Sequence, residues 1–284
     1  MVVIRTVASA EDMRRFLEEL DVRGRIFVVK PNWGTAYDFT SAQTLDWLFS
    51  ALPGKVKVIE GYTAWRNELN AGPEAKDVIT PSNAKAKWRW IKEQDDWFLR
   101  FSGIDKVLAK HGVDYINVTE EVWSDRTLDA EEVRDLVDPR YGLLTSQELY
   151  RVVPSKIYEL RDSTLISMNY SRQMEGGVSL STKNIFGLIP DPARYGKWHG
   201  KNDSRLPRSI VEINKVYRSL FSPCYWINEI KGRDTFVGSR NSVEADAVTA
   251  TLVGVDPEKI TYLRRVAGVF GGYDKNALAK IRPF

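Results

Sequence analysis

Three short segments bring lysine, amide and guanidinium groups to the ends of apolar runs: Lys30-Pro31-Asn32-Trp33-Gly34, Met168-Asn169-Tyr170-Ser171-Arg172-Gln173 and Asn228-Glu229-Ile230-Lys231-Gly232. Each reads as the exit of a β-strand, the place where open α/β sheets bind their ligands. Cations supply charge for an anion, and amides orient it by hydrogen bonds. Lys30, Asn32, Asn169, Arg172 and Asn228 are therefore candidate substrate-binding residues, although a capped loop uses the same residue types.

The segment Ser179-Leu180-Ser181-Thr182-Lys183-Asn184-Ile185-Phe186-Gly187 surrounds one lysine with three hydroxyls and an amide. A helix that starts near Ser181 would present free N–H groups to an anion, with Lys183 adding a point charge and Asn184 a hydrogen-bonding amide. The alternative is ordinary capping by Ser181 or Thr182. Phosphate-loop spacing is absent. Downstream, Asp191 to Gly200 carries Arg194, Lys197 and His199. An imidazole titrates near neutrality, so His199 is a candidate acid or base, or else a loop residue. His111 precedes Gly112 and fits a helix C-terminal cation. Glu60, at the end of the run KVKVIE, is a second candidate for moving a proton. Glu229 and Asp246 could serve a hard cation such as Mg²⁺. Asp246 sits in the small, apolar stretch VEADAVTA, where capping a neighbouring loop is the other explanation.

Elements that could position these groups follow from periodicity. Val2–Arg5, Arg25–Lys30 and Lys55–Glu60 are strand candidates. Helical spacing of Met13, Phe16, Leu17 and Leu20 follows Ser9, and a second helix starts at Thr40 or Ser41. Strand, helix and strand with short connections predict a parallel sheet. Residues 61–100 begin as polar loop and lead into a tryptophan-bearing helix over 84–101. A helix over 103–111, a strand over 113–118 and a mixed acidic stretch to residue 162 follow. The order then returns to α/β: a strand at Ser163–Met168, a helix at Arg208–Phe221, a strand at Tyr225–Ile230 and a helix at Ser242–Val253. The expectation is a single α/β domain over 1–284, its mainly parallel sheet flanked by helices, with residues 61–162 as an inserted helical and loop elaboration.

Composition narrows the function classes. The 284 residues are 43% hydrophobic and 28% charged, a globular balance, with a formal net charge of only +3. That small charge argues against nucleic acid as partner. The single cysteine, Cys224, and two histidines leave no thiolate cluster site and few zinc constellations. Without an apolar signal core or a run near the roughly 20 residues that span a bilayer, the expected location is the cytoplasm and no membrane partner is expected.

The segment LSTKNIFGLIPDPARYGKWHG resembles the S-x-K-N-x-F-G-x-x-P…H signature of the domain-of-unknown-function 362 family. VVKPNWG, Thr40, VIEG, YWINEIKG and VEADAVTATLVGVDPEKITYL resemble its other landmarks in order, over most of the chain except roughly 61–162. The resemblance implies an α/β fold and singles out Lys30, Asn32, Lys183, Asn184, Gly187, His199 and Asp246, but implies no activity. Some family members carry ferredoxin-like iron–sulfur segments. Their cluster cysteines are missing here, so a cluster of this chain's own is not expected. Met168–Gln173 stands where relatives often have a P-K-x-K-T-H-like run, leaving Arg172 as the cation there.

The expected function is an enzyme of unassigned reaction that binds a small phosphate- or carboxylate-bearing metabolite. Lys30, Arg172 and Lys183 would hold the anion, with Asn32, Asn169, Ser181, Asn184 and Asn228 around it, and His199, Lys183 and Glu60 would serve the chemistry. Two alternatives remain open. One is a nucleic-acid or protein binding module built on the Trp-rich helix 84–101. The other is a redox subunit served by a separate ferredoxin. Exposed tryptophans would also suit a homodimer.

Overall fold

Alternation along the central strands decides the layers. In the computed structural model, which describes residues 1–63, 66, 83, 85–174, 177–191 and 194–284, Phe27 and Val29 face one side of the sheet and Val28 the other. Likewise Ile166, Tyr225 and Ile227 face the first side, and Leu165 and Trp226 the second. A sheet apolar on both faces must be covered twice, and both faces carry helices.

In chain order the elements are β1 (Val2–Thr6), α1 (Ala10–Glu19), β2 (Ile26–Pro31), α2 (Ala42–Ala51) and β3 (Lys55–Glu60). Then come α3 (Trp88–Phe101), α4 (Ile104–His111), β4 (Asp114–Asn117), α5 (Val118–Trp123), α6 (Ala130–Tyr141) and α7 (Ser155–Tyr158). The remainder holds β5 (Thr164–Met174), β6 (Gly177–Ser179), α8 (Ser181–Asn184), α9 (Leu206–Leu220), β7 (Cys224–Ile230), β8 (Thr235–Ser239), α10 (Ser242–Leu252), α11 (Thr261–Phe270) and α12 (Lys275–Leu278). Ser9 and Ser41 cap α1 and α2 by accepting from the N–H groups of Asp12 and Thr44.

These strands form one eight-stranded sheet in the order β1-β8-β7-β5-β2-β3-β4, with β6 paired to β5. β7, β5, β2, β3 and β4 run parallel, whereas β8 is antiparallel to both of its neighbours. Helices α1 to α4 contribute to the apolar cluster on one face, and α9, α10 and α11 to the other. The chain leaves β2 for β3 on one side, while β5 pairs on β2's other side. The sheet's switch point therefore falls at the carboxyl ends of β2 and β5, where such sheets open a crevice.

Several elements differ from the sequence expectation: β6 and β8 have no counterpart in it, and two others have different bounds. β5 runs to Met174 instead of ending at Met168, because Leu165–Ser171 pair with β7 and Arg172 then pairs with Ser179 of β6. Asn169 and Arg172 are thus strand residues, as is Asn228 within β7. The Trp-rich helix begins at Trp88; the polar loop expected ahead of it lies mostly outside the described residues.

Candidate functional site

At the end of β2, Lys30 enters the interior and is 1% exposed. Its Nζ donates to Pro31 O at 2.7 Å, Glu60 Oε2 at 2.8 Å and Asn184 Oδ1 at 3.0 Å. Three acceptors around three N–H groups suit the ammonium form. Burial pulls its pKa down to about 8, against the raising effect of Glu60. Glu60 also accepts from the Trp33 and Gly61 N–H groups. Lys30 and Glu60 are thereby committed to one another and to the backbone. Gly187 crosses directly over this pair: a Cβ there would stand 2.8 Å from both Glu60 Oε1 and Lys30 Nζ.

Beneath the crevice a hydrogen-bonded row runs from the residue after β2 across β5 and β7 to α10. Asn32 Nδ2 donates to Asn169 Oδ1 at 2.8 Å, Asn169 Nδ2 to Asn228 Oδ1 at 3.0 Å, and Asn228 Nδ2 to Asp246 Oδ1 at 3.0 Å. Asp246 in turn accepts from Ser181 N, Ser181 Oγ and Thr182 N. Asn169, Ser181, Asn228 and Asp246 are all fully buried. Each polar group finds a partner, as burial requires.

Above this floor lies a cavity of about 80 Å³, lined among others by Lys30, Asn32, Glu60, Arg172, Lys183, Asn184, Arg194 and His199. Four cations meet one carboxylate in that wall. Arg194 is 4% exposed and donates to the carbonyls of Tyr62, Phe186 and Asp191, which clips its loop to the end of β3. Burial pulls Lys183 down to about 8, and the nearby Arg172 adds to the shift. Lys183 still carries its charge at neutral pH. Arg172 donates to Thr35 Oγ1 at 3.3 Å, while its buried Nε has no hydrogen-bond partner among the described residues. His199 Nδ1 donates to Asp203 Oδ1 at 2.6 Å. Burial lowers the imidazole pKa, Asp203 opposes that, and Lys183 adds to the lowering. With Nδ1 held by Asp203, proton transfer at this histidine passes through Nε2.

The structure gathers His199, Lys183, Glu60, Lys30, Asn32, Arg172 and Asn184 around one cavity. Asn169, Ser181 and Asn228 sit beneath its wall instead, because the strands carrying Asn169 and Asn228 continue past them and α8 packs over them. The α8 N–H groups expected to attract an external anion are occupied by Asp246. Nor do Asp246 and Glu229 form a cation site. Neighbouring residues on β7 point to opposite faces, so Asn228 meets Asp246 while Glu229 accepts from Thr44 Oγ1 of α2 at 3.1 Å. Among the described residues no group of three His, Cys, Asp or Glu side chains could hold a metal ion. Asp203 was not singled out from sequence; its signal is the i,i+4 spacing to His199.

On α3, Trp88 packs between Tyr62 and Trp123, and Trp97 stacks on Phe101 at 4.8 Å. The flanking cations Arg89 and Lys92 pair with Glu93 and Glu120. Buried Asp95 pairs with Arg66 and fixes α3 to the end of β3. Burial pushes the Cys224 thiol up to about 11, which keeps it protonated at neutral pH. Among the described residues no helix is long and apolar enough to cross a membrane. Comparison with family models, curated proteins and solved structures finds no match.

Proposed function

We propose that the protein is an enzyme that binds a small phosphate- or carboxylate-bearing metabolite at the carboxyl ends of β2, β3 and β5 and moves a proton on it through His199. The observation that carries this proposal is the convergence of Lys183, Arg172 and His199 on one cavity at the switch point of the sheet. Lys183 and Arg172 supply the charge. The Lys30–Glu60 pair and Arg194 fix the walls. Their rigidity means that little reorganisation is needed when the anion enters. A cavity of about 80 Å³ fits a phosphate or carboxylate head group and not a whole nucleotide. With a lowered pKa, His199 is a neutral base at pH 7, and Asp203 steadies the imidazolium it becomes.

Kinship with the domain-of-unknown-function 362 family belongs to the same proposal. In its support, the segments that carry the resemblance supply Lys30, Asn32, Lys183, Asn184, Gly187 and His199 to this one wall. Native mass spectrometry of gently purified protein tests the binding: a co-purified anion present in the wild type and lost in Lys183→Met is expected. An anion retained equally by both proteins would refute the assignment of Lys183.

A further inference from the structure

Arg172 lines a second cavity as well. This one measures about 420 Å³, and Arg172, Ile230, Lys231, Arg233, Leu252 and Val253 are among the residues that bound it. It lies at the carboxyl ends of β5 and β7, the same edge of the sheet as the first cavity. Its cations are Arg172, Lys231 and Arg233. Arg233 forms no ion pair among the described residues and stacks over the Phe284 ring at 4.8 Å. A carboxylate already sits between the other two: Asp38 Oδ1 is 2.5 Å from Lys231 Nζ, and Asp38 Oδ2 is 3.8 Å from Arg172. That edge therefore holds an acidic group of the protein's own, on a loop tied by backbone and Thr35 hydrogen bonds that do not involve the carboxylate.

We infer that the two cavities form one bipartite site joined at Arg172, and that its ligand is a small molecule with two anionic groups. One group enters the inner cavity at Lys183. The other takes the Lys231–Arg233 side, where it competes with Asp38 for Lys231 and Arg172. The apolar wall of Ile230, Leu252 and Val253 covers the carbon frame between the two groups. This inference rests on the anion-binding proposal for the inner cavity and names the class of its ligand. The inner cavity alone is too small for such a molecule, whereas the outer one has room for its body.

The experiment is calorimetric titration of the full chain with inorganic phosphate, then with α,ω-alkyldiphosphonates of increasing length. The variants are Lys231→Gln/Arg233→Gln and Asp38→Asn. At least one diphosphonate length is expected to bind ten-fold or more tighter than phosphate. The double variant loses that gain while holding phosphate within two-fold, and Asp38→Asn strengthens diphosphonate binding several-fold. Diphosphonates that bind no tighter than phosphate, on a chain that binds phosphate, overturn the bipartite site and leave the inner one standing. Diphosphonate binding that is lost in the double variant, in a chain that ignores phosphate, refutes the inner assignment and the bipartite ligand together, leaving only an outer anion site. Binding of neither probe overturns both.

Discussion

Asp246 holds Ser181 twice, accepting from its backbone N–H at 3.0 Å and from its hydroxyl at 2.5 Å. The same carboxylate accepts from Thr182 N and Asn228 Nδ2. The start of the Lys183 segment is thus locked by an anion that belongs to the protein, and that lock places Lys183 at the cavity wall.

Replacing Asp246 by asparagine turns an N–H group toward at least one of these four donors. Leaving a buried donor unmatched in a charged network costs about 2–3 kcal/mol. Urea denaturation of Asp246→Asn should show that loss. Glu229→Gln, which bears on the other face of the sheet, should change stability by under about 1 kcal/mol, since it keeps one oxygen to accept from Thr44. Equal effects would contradict the separate roles given to the two carboxylates.

Gly187 packs over the Lys30–Glu60 pair without room for a methyl group. Gly187→Ala should cost about 1–3 kcal/mol by overpacking. Breaking the pair itself by Lys30→Met strands a buried carboxylate and should cost about 3–5 kcal/mol. Thermal and chemical denaturation measure both. A stable, well-folded Lys30→Met would mean that Glu60 does not need its partner.

Lys183 gives the cavity a pH dependence of known sign. Its folded pKa is pulled from 10.5 to about 8, so the ammonium is present at pH 7 and lost as pH rises past 8. Sulfate, which does not titrate in this range, should bind evenly between pH 6.5 and 7.5 and weaken toward pH 9. In Lys183→Arg that weakening should shrink. Between pH 8 and 10.5 the unfolded chain holds a proton that folded Lys183 has released, so this residue makes stability rise with pH across that window. Lys183→Met should flatten the rise.

Asp203 raises the His199 pKa against burial. In Asp203→Ala the imidazole pKa, followed by NMR, should fall further, and the share of rings with the proton on Nδ1 should drop. A pKa that rises or stays fixed would remove Asp203 as the group that orients this histidine.

Most of the sheet was legible because strands such as KVKVIE and RIFVVK are short, β-branched and bounded by glycine or proline. The extent of β5 was not. Its residues Asn169 and Ser171 are polar yet buried, and they read as an exit loop because alternation alone does not reveal an interior that is hydrogen-bonded. The same cause moved Asn169, Ser181 and Asn228 from the wall to its support. Lys183, Arg172 and His199 were legible as chemistry by residue type. Their meeting depends on β5 pairing beside β2 across more than 100 residues of chain, which no local pattern encodes. The outer cavity was hidden for a similar reason, since Asp38, Arg172 and Lys231 come from three separate segments.

The central claim is that Lys183 holds an anion in the cavity at the carboxyl ends of β2 and β5. Isothermal titration of sulfate into wild type and Lys183→Met at pH 7 tests it most directly, with unchanged circular dichroism as the control for folding. The account predicts one site per chain and a loss of affinity of ten-fold or more in the variant. Equal affinity in two equally folded proteins would contradict it.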